Sequence, residues 1–267
     1  MSRKPSLGTR LARHAGLTTS SLVVLAPFAV LVWFAFQAPA GSGWYGLENF
    51  HRAWSVVPFG RFMANGALVA GAVCVLQVAI AAPCAYAIAK HEFPGRDLLF
   101  GLVVLAMLVP QQVLALPLFL LLNQAGLLDT YAALILPHAI SPFAIFLFRQ
   151  VFKAIPNDIV QAARLDGMGE AAIVARIMLP LAAPTVAAFA VLSIVSRWND
   201  LFWPSVVVSS EALMPPSLGI LFFRNDETGD EYGPLMAAAL LVVAPLLIWF
   251  LFAQRRFVEG LSLGGVK

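Results

Sequence analysis

Hydrophobic residues run along this chain in long blocks; they neither alternate nor recur at the spacing of a single helical face. Asp, Glu, Lys and Arg are absent from six stretches, residues 21–37, 66–89, 98–122, 131–148, 177–196 and 235–253. Each comes close to the ~20 residues with which an α-helix crosses a ~30 Å hydrocarbon core. A helix that is apolar all round has to be surrounded by lipid or protein. The pattern therefore predicts an all-α membrane protein with six transmembrane helices. Composition agrees, with 60% hydrophobic and 12% charged residues against roughly 25% charged in an average soluble domain.

The polar connections orient the spans. With the N-terminal segment 1–20 in the cytoplasm, 13 of the 17 Lys and Arg residues fall on that side. Arg52, Arg61, Arg197 and Arg224 fall outside, together with the acidic cluster 226–231. An excess of Lys and Arg inside fixes topology, so both termini, including the tail 254–267, are expected in the cytoplasm. One alternative stays open at the N-terminus: the first apolar stretch precedes Ala38-Pro39-Ala40, a small-residue sequence of the kind found at signal-peptide cleavage sites. Cleavage there leaves five spans with unchanged orientation.

In two spans the prolines stand beside polar residues. Pro110 and Pro117 flank Gln111 and Gln112, and Pro137, His138 and Pro142 interrupt the fourth span. Each proline removes a backbone donor, and broken backbone at membrane depth persists only where protein or a water-lined cavity satisfies it. The prolines read either as kinks or as the lining of a translocation path. Gln77, Gln111, Gln112, Asn123, His138 and Asn199 are the candidate hydrogen-bonding groups of such a path, with helix-to-helix contact as the alternative role for each.

The segment 153–176 differs from its neighbours. It is polar and cytoplasmic, with Pro156 at a helix start and Asp166-Gly167 as a stop. This predicts a short helix outside the bilayer between spans four and five. Ala162 and Ala163 would give it a bare face for another protein to approach, and Asp166 would cap the helix that follows.

Several chemistries have no sequence support. There is no Gly-x-x-x-x-Gly-Lys phosphate loop, and His14, His51, His91 and His138 are dispersed without zinc-ligand spacing, so no metal is expected on this chain. Cys74 and Cys84 are ten residues apart in one apolar run and read as packing residues. The charge of +3 forms no basic stripe for nucleic acid. No carboxylate or cation occupies mid-span, whereas a proton-driven carrier usually needs an intramembrane carboxylate relay.

Residues 161–184, Gln-Ala-Ala-Arg-Leu-Asp-Gly followed by Ile177-Met-Leu179-Pro180, resemble the cytoplasmic signature loop of ATP-binding-cassette (ABC) importer permeases: Glu-Ala-Ala, then Asp-Gly, then Ile-x-Leu-Pro. Ala162, Ala163, Asp166, Gly167, Ile177, Leu179 and Pro180 match, while Gln161 stands where the family has glutamate. Phe93-Pro94-Gly95-Arg96, Trp198-Asn199-Asp200 and the tail Arg256-Phe257-Val258-Glu259-Gly260-Leu261 resemble the carbohydrate branch, the maltose-type subunit without a large external insertion. The resemblance implies half of a translocation path for a sugar, in a heterodimer with a second, homologous permease. It further implies two ATPase subunits that bind ATP and Mg, an extracytoplasmic solute-binding protein, and a tail (Gly260, Leu261, Leu263) that reaches the ATPases. The same branch imports glycerol 3-phosphate and glycerophosphodiesters, which leaves the solute open. A secondary transporter is the remote alternative.

Overall fold

A computed structural model describes residues 7–38, 43–224 and 232–263; side chains are described for 13–38, 43–224, 232–249 and 251. The described backbone is helical apart from one isolated bridge between Gln37 and Trp44. Three helices are long and apolar enough to cross a membrane, Arg13–Ala35, Phe59–Lys90 and Tyr232–Trp249, and three bent pairs raise the number of candidate spans to as many as six. The chain divides into two compact units.

The first unit holds α1 (Leu7–Ala35), α2 (Glu48–Ser55) and the start of the last helix, α14 (Tyr232–Leu263), as far as Ala244. Nearly all described side chains of α1 are exposed, among them Leu22, Val23, Phe28 and Trp33. This is the surface expected of a helix whose neighbours are lipid or another subunit. Its end is pinned by the fully buried Asn49 of α2, whose Nδ2 donates to the carbonyls of Ala35 (3.0 Å) and Gln37 (2.9 Å). Gly233 lets α14 pass close to Asn49, because a Cβ there would meet Asn49 Nδ2 at 2.6 Å.

The second unit spans residues 60–219 and 245–267. Its long rod is α3 (Phe59–Lys90). Then come α4 (Arg96–Ala106), a 3-10 turn at Gln111–Leu114 and α5 (Ala115–Gln124); the two halves are bent by 93°. The expected single span 98–122 is thus not one straight helix. Pro110 is extended (ψ 132°) and ends the first half, and the Gln111 and Gln112 side chains are exposed there. A 44° bend separates α6 (Tyr131–Ile135, extended by the 3-10 turn Leu136–His138) from α7 (Pro142–Ala154).

The fifth stretch departs furthest from expectation. Helix α8 (Asn157–Leu165) is followed by α9 (Glu170–Ile173), a π turn at Val174–Met178 and α10 (Leu179–Leu181), and only then, after an 85° turn at Ala182, by α11 (Ala183–Trp198). The expected span 177–196 falls within this bent pair, which is long and apolar enough to cross only when its two halves are taken together; residues 170–181 form its first arm, with Pro180 and Pro184 on either side of the corner. Two short helices, α12 (Phe202–Val207) and α13 (Pro216–Gly219), complete the unit.

Packing fixes this frame from two clusters. Phe148, Phe152, Ile173 and Met178, all fully buried, join α3, α7, α8 and the 170–181 arm. Val73, Leu134 and Trp203 join α3, α6 and α12. Cys74 and Cys84 are unpaired.

Two polar clamps hold the connection after α12. Asn65 Nδ2 donates to the carbonyls of Ala212 and Met214, both 3.0 Å, while its Oδ1 accepts from Tyr131 Oη at 2.7 Å. Asp129 Oδ1 accepts the backbone N–H groups of Ser209 and Ser210 at 2.9 Å and the Ser210 hydroxyl at 3.0 Å. The Ser210 and Ser209 amides hold the Asp129 carboxyl below its ordinary value of 3.8. A carboxyl with a depressed folded pKa contributes stability above its unfolded value and loses it as pH falls through the folded one. The clamp is accordingly at full strength at neutral pH and weakens progressively below the ordinary carboxylate range. Asp129 also has φ 56°, which Asn tolerates and Ala resists. Asp129→Ala is expected to speed amide exchange at Ser209 and Ser210 on the order of tenfold by local opening, with Asp129→Asn falling between it and wild type. Unchanged exchange in Asp129→Ala would show the clamp to be inert.

Candidate functional site

Two constellations in the second unit carry chemistry. The first surrounds the breaks in α4–α5 and α6–α7. A proline at position i leaves the carbonyl at i−4 without its helical donor; one such carbonyl, and two more that lie just outside helix ends, are served here by side chains. Pro137 strands the carbonyl of Ala133, which accepts from Trp203 Nε1 at 2.9 Å. The carbonyl of His138, at the end of the turn before the extended Ser141, accepts from Gln77 Nε2 at 2.8 Å. The carbonyl of Asp200, just before the first turn of α12, accepts from Ser217 Oγ at 2.8 Å. Gln77 is itself fixed by Ser193 Oγ, which donates to its Oε1 at 2.6 Å.

Beside these carbonyls lies a charged group. Arg197, the penultimate residue of α11, donates from Nη1 to Asp200 Oδ2 at 2.8 Å and from Nη2 to Gln111 Oε1 at 3.4 Å. Asp200 Oδ1 accepts the Trp203 N–H at 3.1 Å, starting α12. His138 is nine-tenths buried, its Nε2 has no hydrogen-bond partner, and it lies 4.0 Å from Asp200 Oδ2. The indole of Trp203 meets the imidazole edge-on, with centroids 5.9 Å apart. His138, Arg197 and Asp200 line a cavity of ≈ 10 Å³, about the least that admits a single water.

Of the six residues expected along a path, Gln111 and His138 meet around Arg197 and Asp200, and Gln77 touches the same segment through the His138 carbonyl. Gln112 and Asn123 are exposed. Asn199 caps its own helix instead, with Nδ2 donating to the Val195 carbonyl at 2.9 Å. The sequence reading missed Arg197, Asp200 and Trp203 as members of the cluster; the short apolar run after Trp198-Asn199-Asp200 was the available signal, since a piece too short to cross folds back toward its neighbours.

The second constellation is built on α8. Its inward face is Val160 and Ala163, both buried, and its outward face includes Ile159, Gln161, Ala162 and the 89% exposed Leu165. The expectation that Ala162 and Ala163 share one bare face is corrected: Ala163 packs inward and Ala162 alone is open. The helix ends in a Schellman motif, with Met168 N–H donating to the Ala163 carbonyl and Gly167 N–H to that of Arg164, both 3.0 Å. Gly167 has φ 80°, as the motif requires. Asp166 is the last residue of this turn, and the next helix is capped by Gly169 without a side-chain bond, so the expected capping role of Asp166 is not made. Ile177 and Leu179 are half-buried against the core, and Pro180 is exposed.

Arg164 leaves α8 sideways. Its Nε and Nη2 donate to Glu170 Oε1 (2.8 Å) and Oε2 (3.2 Å), and Tyr86 Oη of α3 donates to Glu170 Oε2 at 2.5 Å. At the other end of α8, Lys90 Nζ donates to the Ile155 carbonyl (2.5 Å) and to Asn157 Oδ1 (2.8 Å). The tail residues Gly260, Leu261 and Leu263 fall on the last turns of α14; their side chains, and residues 264–267 altogether, lie outside the described residues. Among the described residues, no group of His, Cys, Asp and Glu is placed to hold a metal.

An all-helical membrane chain with broken spans and a braced polar helix between them has the features of a transport subunit. Residues 77–262 match the family of binding-protein-dependent transport system inner membrane components. The chain belongs to that family, the inner-membrane permeases of ABC importers, which are multi-pass transport subunits and not enzymes. It is 36% identical over 206 residues to the arabinooligosaccharides transport system permease protein AraQ of Halalkalibacterium halodurans, covering 77% of this chain and 74% of the relative. It is 32% identical to the sn-glycerol-3-phosphate transport system permease protein UgpE of Shigella flexneri over 226 residues, 82% and 80% of the two chains. Its fold resembles a chain in the crystal structure of a bacterial ABC transporter involved in the import of the acidic polysaccharide alginate, with TM-score 0.83 and 22% identity over 96% of this chain and 100% of that one.

The stranded carbonyl of Ala133 makes a direct test. Trp203→Phe keeps an aromatic ring but removes the donor to Ala133, and an unsatisfied buried acceptor costs about 1–3 kcal/mol. Pro137→Ala restores a backbone N–H for the same carbonyl. Thermal unfolding of the detergent-purified protein is expected to show Trp203→Phe destabilised, and Pro137→Ala partly rescuing it; equal losses with and without proline would contradict the pairing.

Proposed function

We propose that this permease forms half of the translocation path for a neutral sugar or oligosaccharide. In this reading it pairs with a second, homologous permease, receives solute from an extracytoplasmic binding protein, and is driven by two ATPase subunits that carry ATP and Mg. Both termini face the cytoplasm, and α8, with the signature residues 161–167, docks on an ATPase. The distribution of Lys and Arg supports this orientation, and the exposed Ile159, Ala162 and Leu165 at a helix end fixed by Gly167 support the docking.

The observation that carries the choice of solute is the pairing of Arg197 with Asp200 at 2.8 Å. An Arg left free beside a path would favour phosphate, which guanidinium binds in bidentate fashion. Here its charge is compensated within the chain, and the neighbouring Gln111, Gln112 and His138 offer hydrogen bonds suited to hydroxyls. Relatives with carbohydrate names, AraQ and the diacetylchitobiose uptake system permease protein NgcG of Streptomyces coelicolor, agree with this reading. The UgpE relatives keep glycerol 3-phosphate as the second reading.

Cells expressing the permease with its cognate partners are expected to take up a labelled neutral oligosaccharide in a manner abolished by ATP depletion and retained when a protonophore collapses the proton gradient. Uptake that follows the proton gradient would contradict the mechanism. Preferential uptake of glycerol 3-phosphate would contradict the solute class.

A further inference from the structure

Helix α8 has nine residues, about 13 Å of helix, and buries only Val160 and Ala163 fully. Two small apolar contacts position a helix but do not fix its angle against a push. What fixes it is polar and lies at both ends, and all of it leads to the last residues of α3. At the start of α8, Lys90 holds Ile155 and Asn157. At its end, Arg164 grips the Glu170 carboxylate with two bonds, and that carboxylate also accepts from Tyr86, whose side chain is buried. His91 closes the cluster, its Nε2 lying 3.3 Å from Glu170 Oε2 and 3.4 Å from Arg164 Nη2, with its ring edge-on to Tyr86.

We propose that the Arg164–Glu170–Tyr86 cluster is the joint that carries movement of α8 into α3, and hence to Gln77 and the broken α6–α7 segment it holds. This rests on the reading that α8 docks on the ATPase. Three features single the joint out. Arg164 and Glu170 lie on opposite sides of the Gly167 turn, so their pair closes the turn between the two helices. Both side chains are more than a third exposed, a setting in which an ion pair adds little to stability, so the geometry is not needed to keep the chain folded. And Gln161 lacks the carboxylate that the signature carries at that position, leaving Arg164 and Glu170 as the charged groups that tie the signature loop to a span. Residues 164, 170 and 86 are therefore positioning residues for the transport cycle.

The test is made in the complete transporter, with partner subunits and binding protein, reconstituted in proteoliposomes. Arg164→Glu and Glu170→Arg are each expected to lower the amount of solute moved per ATP hydrolysed by about fivefold, within the range of coupling energies carried by single contacts, and Tyr86→Phe by less. The double variant, which exchanges the charges, is expected to recover to within about twofold of wild type. A purely structural role would lower transport and hydrolysis together and leave the ratio unchanged; an unchanged ratio, or a double variant no better than either single one, overturns the proposal. Gln161→Cys crosslinking to the ATPase is followed in parallel. Its presence together with an unchanged ratio rejects the joint alone. Its absence in otherwise wild-type protein rejects the docking on which the joint depends.

Discussion

Satisfying backbone carbonyls in an apolar medium is the constraint on which this architecture depends. A helix crossing lipid serves its own carbonyls, and one proline leaves one of them without a donor. Here Pro137 creates such a carbonyl at Ala133, those of His138 and Asp200 are left free just outside helix ends, and Trp203, Gln77 and Ser217 serve the three from elsewhere in the fold. The breaks are therefore points of attachment: the donors tie α3 to the α6–α7 break, α12 to α6, and α13 to the start of α12. Gln77, Trp203 and Ser217, polar side chains that a membrane would otherwise exclude, are placed where they have partners. The broken spans bring Gln111 and His138 beside Arg197 and Asp200.

The same logic links the two constellations through α3. Near its middle Gln77 holds the His138 carbonyl; near its end Tyr86 and Lys90 hold α8 and the arm that follows. The two attachment points are nine residues apart, about 13 Å along a helix. The short helix α8 and the α6–α7 bend thus share one support. The 85° corner at Ala182 adds a second route, because the arm 170–181 that Arg164 grips leads directly into α11, which carries Ser193 and Arg197.

Much of this was legible in the sequence, and the parts that were not have physical reasons. Charge-free blocks marked the helices, and Gly167 after Asp166 marked the end of α8, because both signals are local. The prolines alone did not mark where spans break: Pro27, Pro83 and Pro245 lie inside continuous helices, whereas the spans with Pro110 and Pro142 bend by 93° and 44°. The corner at Ala182 inside the fifth stretch was not legible either. Residues 177–182 are apolar enough for lipid, but they are used to pack the corner, with Met178 fully buried against the core. Ala163 was read as an outward residue because small side chains suit a close partner, and that partner turned out to be the chain's own core. Glu170, Arg164 and Tyr86 come from sites far apart in sequence, and only the fold brings them within hydrogen-bonding distance.

The central claim, that the α4–α5 break faces a water-accessible path and not lipid, is tested most directly by thiol accessibility at Gln111. With Cys74 and Cys84 replaced by alanine, Gln111→Cys in the assembled transporter is predicted to react with a membrane-impermeant, charged thiol reagent, and the reaction is predicted to slow when the transporter is held in one state of its ATP cycle. Reaction only with a lipid-soluble reagent, at a rate indifferent to ATP, would place the break against the bilayer and contradict the account.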